Sequence, residues 1–195
     1  MSIAVATSEV AYANERVQLG LYWQGDGSPF PETTLVGLYA KTKEQGLMHR
    51  SFTGFGKGVT LERFVAYLST RPVVIGFDKN NNNLIGYGYL AESEVSKAGR
   101  KATAGYVFFK EYWGTEHIRD LCRITLQHWF VALNIDVLYG SMRATNRLAL
   151  RFATKELGFR TIGWMPKFFV TDEGLFDGIL VVLEREAFLT SKFGG

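Results

Sequence analysis

Nucleophilic, metal and phosphate chemistry each require particular residue types at particular spacings, and this chain of 195 residues can be searched for all three. Its single cysteine, Cys122, excludes an intrachain disulfide. Cys122 falls within an apolar helical pattern and reads as a small core residue rather than a nucleophile. The three histidines, His49, His117 and His128, lack the spacing of a metal site, so no metal is expected. Gly54-Phe55-Gly56-Lys57-Gly58 is rich enough in glycine to suggest a phosphate loop. It lacks the Walker spacing and no strong strand precedes it, so a flexible connection is the better reading.

The elements that must position any site follow from composition and periodicity. Apolar residues make up 47% and charged residues 21%, the balance of an ordinary globular chain. The length suits one domain over residues 1–195, and no linker or internal repeat divides it. The formal net charge of +3 is too small to call for nucleic acid. Aromatic residues reach 14%, enough to fill a core or line a binding cleft. The N-terminus has no basic segment followed by an apolar run, and no stretch is long enough to span a membrane. A cytoplasmic location is expected.

The first strand is predicted over Gln18 to Gln24, and a first helix from Pro31 to a stop at Gly46. Leu61, Phe64, Val65 and Leu68 mark an amphipathic helix that ends before Pro72. Val73–Phe77 and Leu84–Ala91 read as a hairpin, whose Asn80–Asn83 tip tolerates left-handed backbone angles. A polar loop is expected from Glu92 to Lys101, then a strand from Ala102 to Phe109. A helix from Thr115 to Leu133, a strand at Val137–Met142 and a helix from Asn146 to Leu157 closed by Gly158 follow. Phe159–Trp164 and Asp177–Leu183 supply the last two strands. The sum is an α/β domain with a mixed sheet: antiparallel hairpins first, then a parallel crossover.

Particular residues in this frame resemble a known family. Gly105-Tyr106-Val107-Phe108-Phe109-Lys110-Glu111-Tyr112-Trp113-Gly114 before a helix resembles the cofactor motif of the GNAT N-acetyltransferases. It is most similar to the branch that acetylates ribosomal-protein N-termini. Asn146-Arg147-Leu148-Ala149-Leu150-Arg151-Phe152 and Lys155-Glu156-Leu157-Gly158-Phe159 resemble the second motif, where an asparagine opens a helix closing in Leu-Gly-Phe. Gly163 and Asp177-Gly178 also fit that branch, and the resemblance covers roughly Val73 to Leu183.

The resemblance implies a central twisted mixed sheet of about seven strands, with the fourth and fifth splayed apart. It implies acetyl-CoA as co-substrate. The pyrophosphate would meet backbone N–H groups at a helix N-terminus, and the amide-rich pantetheine arm would pair with the freed strand edges. In this chain the strand end is Val107, Phe108 and Phe109, and the loop is Trp113, Gly114, Thr115, Glu116, His117 and Ile118, with Arg119 beyond it. Asn146 and Arg151 are the further cofactor candidates.

The loop departs from the family pattern by placing Glu116 at its central glycine and Ile118 at its last small position. A carboxylate about 5 Å from a phosphate charge costs about 3 kcal/mol at an effective dielectric near 20. That is roughly a hundredfold in affinity unless His117, Arg119 or Arg151 offsets it. Alternatively, Glu116 simply complements the helix dipole. The second motif is one residue longer than usual, and Phe152 or Ala153 stands where the family has a tyrosine acid. Thr103 replaces the acid that often precedes the Gly-Tyr pair.

Only a neutral amine attacks a thioester, so a base must take its proton. Glu92 and Glu94 are the nearest carboxylates in sequence, and Ser141 on the fifth strand is the candidate for proton relay or for protonating the thiolate. Glu92 and Ser141 are therefore the catalytic candidates. The acceptor would be a protein N-terminus, a peptide or a small amine, with Tyr22, Trp23, Phe52, Phe55, Trp164, Phe168 and Phe169 available to line its pocket. The alternative is a GNAT-fold protein that binds or assembles without catalysis, as in phage-encoded and virion-associated analogues. Oligomeric state stays open.

Overall fold

The computed structural model describes residues 13–22, 32–48, 58–171 and 173–191. In chain order these form β1 (Val17–Tyr22), α1 (Glu32–Glu44), α2 (Leu61–Ser69), β2 (Val73–Asp78), β3 (Leu84–Ser96) and β4 (Gly99–Phe108). Then come α3 (Glu116–Gln127), β5 (Val137–Arg143), α4 (Arg147–Arg151), β6 (Arg160–Thr171), β7 (Gly174–Glu184) and α5 (Arg185–Leu189). Wider π-helical turns, His128–Ala132 and Phe152–Glu156, prolong α3 and α4. The strands make one seven-stranded sheet in the order β1-β2-β3-β4-β5-β7-β6. Every neighbouring pair is antiparallel except β4 and β5. The mixed sheet expected from the sequence is the one found.

Helices cover both faces because strand side chains alternate between them. On one face α3 buries Leu121 and Cys122, and the π-helical turn after it Trp129 and Phe130, against Val74, Ile85, Ala102 and Leu138. Burying the larger of these, such as Leu121, Phe130 and Ile85, contributes about 1.5–3 kcal/mol each. Burial also pushes the Cys122 thiol well above its ordinary range, in keeping with an inert core residue. On the other face α1 and α2 bring Leu35, Leu38, Phe64 and Leu68 against Ile75, Tyr87, Tyr89, Val107 and Phe109. Thr60 caps α2, its hydroxyl accepting from Arg63 N at 3.4 Å. At the β2–β3 tip, Asn82 takes a left-handed φ of 57°, as the asparagine run suggested.

Two segments differ from the sequence reading. The expected loop from Glu92 to Lys101 is the far end of a long hairpin, in which Glu92 pairs with Thr103 and Glu94 with Lys101. Its side chains are mostly exposed on both faces, so no apolar alternation betrays it. Backbone bonds, a Glu94–Lys101 ion pair of 3.1 Å and the reach of Asp136 Oδ2 to Arg100 N at 2.7 Å hold it instead. Likewise β6 and β7 extend past their expected limits into a hairpin with exposed Trp164, Phe168, Val170 and Leu175, interrupted where Lys167 takes a φ of 52°. The first strand is described over Val17–Tyr22. Trp23, the 25–29 turn, Pro31, Phe52, Phe55 and most of the 54–58 glycine run lie outside the described residues.

Candidate functional site

β4 and β5 pair at only three positions, Lys101–Val137, Ala102–Leu138 and Thr103–Tyr139. Beyond them β4 continues to Phe108 and β5 to Arg143 without pairing to each other. The strands therefore splay and leave backbone groups of both facing a gap. The N–H of Phe109 bonds to Ile85 O at 3.0 Å, on the β3 side. Alternation then turns Phe108, Tyr106 and Ala104 backbone groups toward the gap. One of these groups is already engaged: Phe108 O accepts from the Trp113 indole Nε1 at 2.8 Å.

The turn that ends β4 is braced from α1. Lys41 lies 4.6 Å from the centre of the Phe109 ring and 2.6 Å from Glu111, while Gln45 bonds to Glu111 and accepts from Lys110 N, both at 2.7 Å. After this brace Gly114 adopts a φ of 78°, with nothing within 4 Å of where a Cβ would stand. Thr115 is the N-cap of α3, but its hydroxyl donates backward to Tyr112 O at 2.7 Å and caps nothing in the helix. The first-turn N–H groups of Glu116, His117 and Ile118 thus have no side-chain cap beside an open glycine turn. Such a terminus carries the partial positive charge that anions prefer.

The side chains of this turn divide. Glu116 is exposed and pairs with Arg119, whose Nε also lies 3.3 Å from Glu156. Of the three groups weighed as offsetting the Glu116 charge, Arg119 is the one that reaches it. His117 turns away: its ring centre is 5.3 Å from that of Tyr112 and its Nε2 3.7 Å from Asp78 Oδ2. The backbone N–H of Asn80 and the hydroxyl of Tyr112 in turn hold the Asp78 carboxyl below its usual range. Ile118 packs into the α3-side core, so it offers the gap only its backbone. Val107 and Phe109 are likewise core residues, on the α1/α2 side.

Across the gap, Asn146 opens α4, with Oδ1 accepting from Ala149 N at 3.2 Å. Arg151 is exposed in the last turn of α4. Phe152 and Ala153 face inward, and the Phe152 ring centre lies 6.4 Å from that of Phe108. Ser141 alternates with Leu138 and Met142 of the α3-side core, which puts it on the α1/α2 face of the sheet. Glu92 lies on that same face, exposed, in one row with Thr103 and Tyr139. Two strand spacings and two residues separate Glu92 from Ser141, roughly 12 Å between Cα atoms. They share a face and do not touch.

The sequence reading missed a pair of tyrosines. A Cβ on Gly105 would stand 2.4 Å from Cζ and 2.6 Å from Oη of Tyr89, so the Tyr89 phenol crosses from β3 and lies over β4. Its side chain hydrogen-bonds to Tyr67 of α2. The Arg71 guanidinium sits 3.7 Å from the Tyr67 ring centre. Tyr87-Gly88-Tyr89 and Gly105-Tyr106 are visible in the sequence as alternating rings and glycines, but only the β3–β4 register sets Gly105 opposite Tyr89 and Gly88 opposite Tyr106.

A description of the acetyltransferase (GNAT) domain matches residues 36–160, well over half of the chain. The chain belongs to the GNAT family. The fold of this GNAT domain is shared by solved structures of low sequence identity. A spermidine N-acetyltransferase from Vibrio cholerae, solved with CoA and spermine, superposes with a TM-score of 0.72 at 17% identity, covering 91% of this chain and 100% of that one. A ribosomal-protein-S5-alanine acetyltransferase from Vibrio fischeri gives 0.70 at 17%, covering 91% and 97%. A GNAT acetyltransferase from Bacillus anthracis gives 0.66 at 14%, covering 90% and 98%. Acetyl-CoA is the co-substrate of the family. The splayed strands, the open Gly114 turn and the uncapped α3 terminus fit such a molecule, with Arg119 beside Glu116 lowering the charge penalty. Among the described residues no cluster could hold a metal, and no helix is long and apolar enough to cross a membrane.

Proposed function

We propose that this GNAT domain is an N-acetyltransferase that passes the acetyl group of acetyl-CoA directly to an amine. The observation that carries the reading is the end of β4–β5 pairing at Thr103–Tyr139, with both strands running on beside an uncapped helix terminus. In this reading the α3 first-turn amides hold phosphate, and the gap-facing groups of Ala104 and Tyr106 hold amide. Bound acetyl-CoA supplies an activated acyl carbon. Ser141 stands beside the start of the gap on the α1/α2 face, where its hydroxyl can pass a solvent proton on to the departing sulfur and regain its own, and Glu92 at the rim is the eventual proton acceptor.

The acceptor is a protein N-terminus, a peptide or a small amine. An approach from the α1/α2 face suits all three, because α3 and α4 close the other face. The test is acetyl transfer to benzylamine, spermidine and a peptide with a free N-terminal alanine. Ser141→Ala and Glu92→Gln are expected to lower turnover a hundredfold or more with little change in Tm. Acetylation of none of these amines at millimolar concentration would leave a binding or assembly role in its place.

A further inference from the structure

We infer that the Tyr89 hydroxyl is a catalytic group of this site, the inner end of a proton relay that runs through Tyr67 to the rim. The inference rests on the transferase reading above. Gly105 is two residues past the last β4–β5 pair, at the level where the gap opens. The β5 residue at the same level is Ser141. The oxygen end of Tyr89 lies over Gly105 on the α1/α2 face, the face that Ser141 and Glu92 share. The Tyr89 hydroxyl and Ser141 therefore flank the start of the gap from its two sides.

The tyrosine pair has one dry end and one wet end. Tyr89 is buried at 4% exposure, while Tyr67 on α2 is only partly buried. Tyr67 also feels the charge of Glu92 and carries the Arg71 cation on its ring. Arg71 is fixed by bonds to the carbonyls of Ala91 (3.1 Å) and Tyr67. Tyr67 thus links the buried Tyr89 to a partly exposed rim that carries the Glu92 and Arg71 charges. Burial pushes both phenols above their ordinary range, so neither serves as an anionic base.

A relay needs no ionised phenol. The reaction forms one N–C bond, breaks one C–S bond and removes one proton from the amine, which the thiol product regains through solvent. Tyr89 Oη accepts the amine proton as it gives its own to Tyr67 Oη, and the Tyr67 proton passes through water at the rim to Glu92. Each hydroxyl takes one proton and gives one, so both end neutral. This arrangement also gives Glu92 a connection to a reacting centre that it does not touch.

The test compares Tyr89→Phe, Tyr67→Phe and the double variant of the full chain, using benzylamine, spermidine and the alanyl peptide. Loss of a proton-transfer group typically costs a hundredfold to ten-thousandfold. Tyr89→Phe is expected to lower kcat by at least a hundredfold, with the acetyl-CoA Kd within twofold of wild type and Tm nearly unchanged. The double variant is expected to be no slower than Tyr89→Phe, because removing the outer end of a broken relay costs nothing more. The wild-type solvent isotope effect should show more than one proton in flight, and Tyr89→Phe should lose that signature. An active wild type whose Tyr89→Phe variant keeps over a third of its turnover overturns the relay alone. A wild type that acetylates none of the three amines overturns the relay and the transferase reading together.

Discussion

The Trp113 indole donates its Nε1–H to the carbonyl of Phe108 at 2.8 Å, so the turn after β4 folds back on the strand it has just left. Phe108 O is the last gap-facing carbonyl of β4, and Trp113 is about half exposed, at 49%. A ligand amide seeking that carbonyl meets an indole already there. Trp113→Phe frees the acceptor and keeps an aromatic ring. One hydrogen bond contributes about 1 kcal/mol net, so acetyl-CoA should bind about fivefold tighter. Calorimetric titration checks this. Weaker binding by the variant would mean instead that the indole organises the loop.

The Glu116–Arg119–Glu156 cluster sets the charge at the α3 terminus. Removing the cation with Arg119→Ala exposes the Glu116 carboxylate to the phosphates. Affinity for acetyl-CoA should fall by up to about a hundredfold, the full unscreened penalty at an effective dielectric near 20. Glu116→Gln in the Arg119→Ala background should recover most of the loss. A double-mutant cycle of binding constants measures the coupling. Strict additivity would show that the phosphates do not approach this turn.

The elements around the site were legible in the sequence, and the side-chain geometry was not. The helical period through Ile118, Leu121, Cys122 and Thr125 located α3, and the motif around Gly105 to Gly114 located the strand and the turn. Asn146 marks a helix start in the sequence, and its Oδ1 accepts from Ala149 N in the structure. The long end of the β3–β4 hairpin was illegible, because Glu92 to Arg100 is exposed on both faces and its order comes from backbone pairing. The direction of His117 was illegible too, since it depends on Asp78 and Tyr112, which come from different elements. The meeting of Tyr89 with Gly105 needs a register between β3 and β4 that no local pattern states.

Asn146 gives a direct test of local stability. Its Oδ1 caps an exposed helix start, and Asn146→Ala should cost about 1 kcal/mol in urea unfolding. An unchanged midpoint would mean that the α4 turn is held by the packing of Phe152 and Ala153 alone.

His128 makes the fold sensitive to acid. It is 7% exposed, and burial lowers its pKa from 6.5 to about 4. The unfolded chain therefore binds the His128 proton more readily than the folded one. Its contribution is fully present above pH 6.5 and drains away as pH falls toward 4, by up to about 3 kcal/mol in all. His128→Gln, which does not titrate, should flatten the loss of stability between pH 7 and 4.5 relative to wild type. Parallel slopes for the two proteins in urea titrations would contradict the burial of a neutral imidazole.

Transfer from acetyl-CoA requires that the β4–β5 gap and the α3 terminus together hold it. Isothermal titration of the full chain with acetyl-CoA should give saturable one-to-one binding. Gly114→Asp, which sets a carboxylate in the open turn, should weaken that binding at least tenfold while the protein stays folded. The absence of binding by wild type at millimolar acetyl-CoA, or equal affinity in wild type and the folded variant, would contradict it.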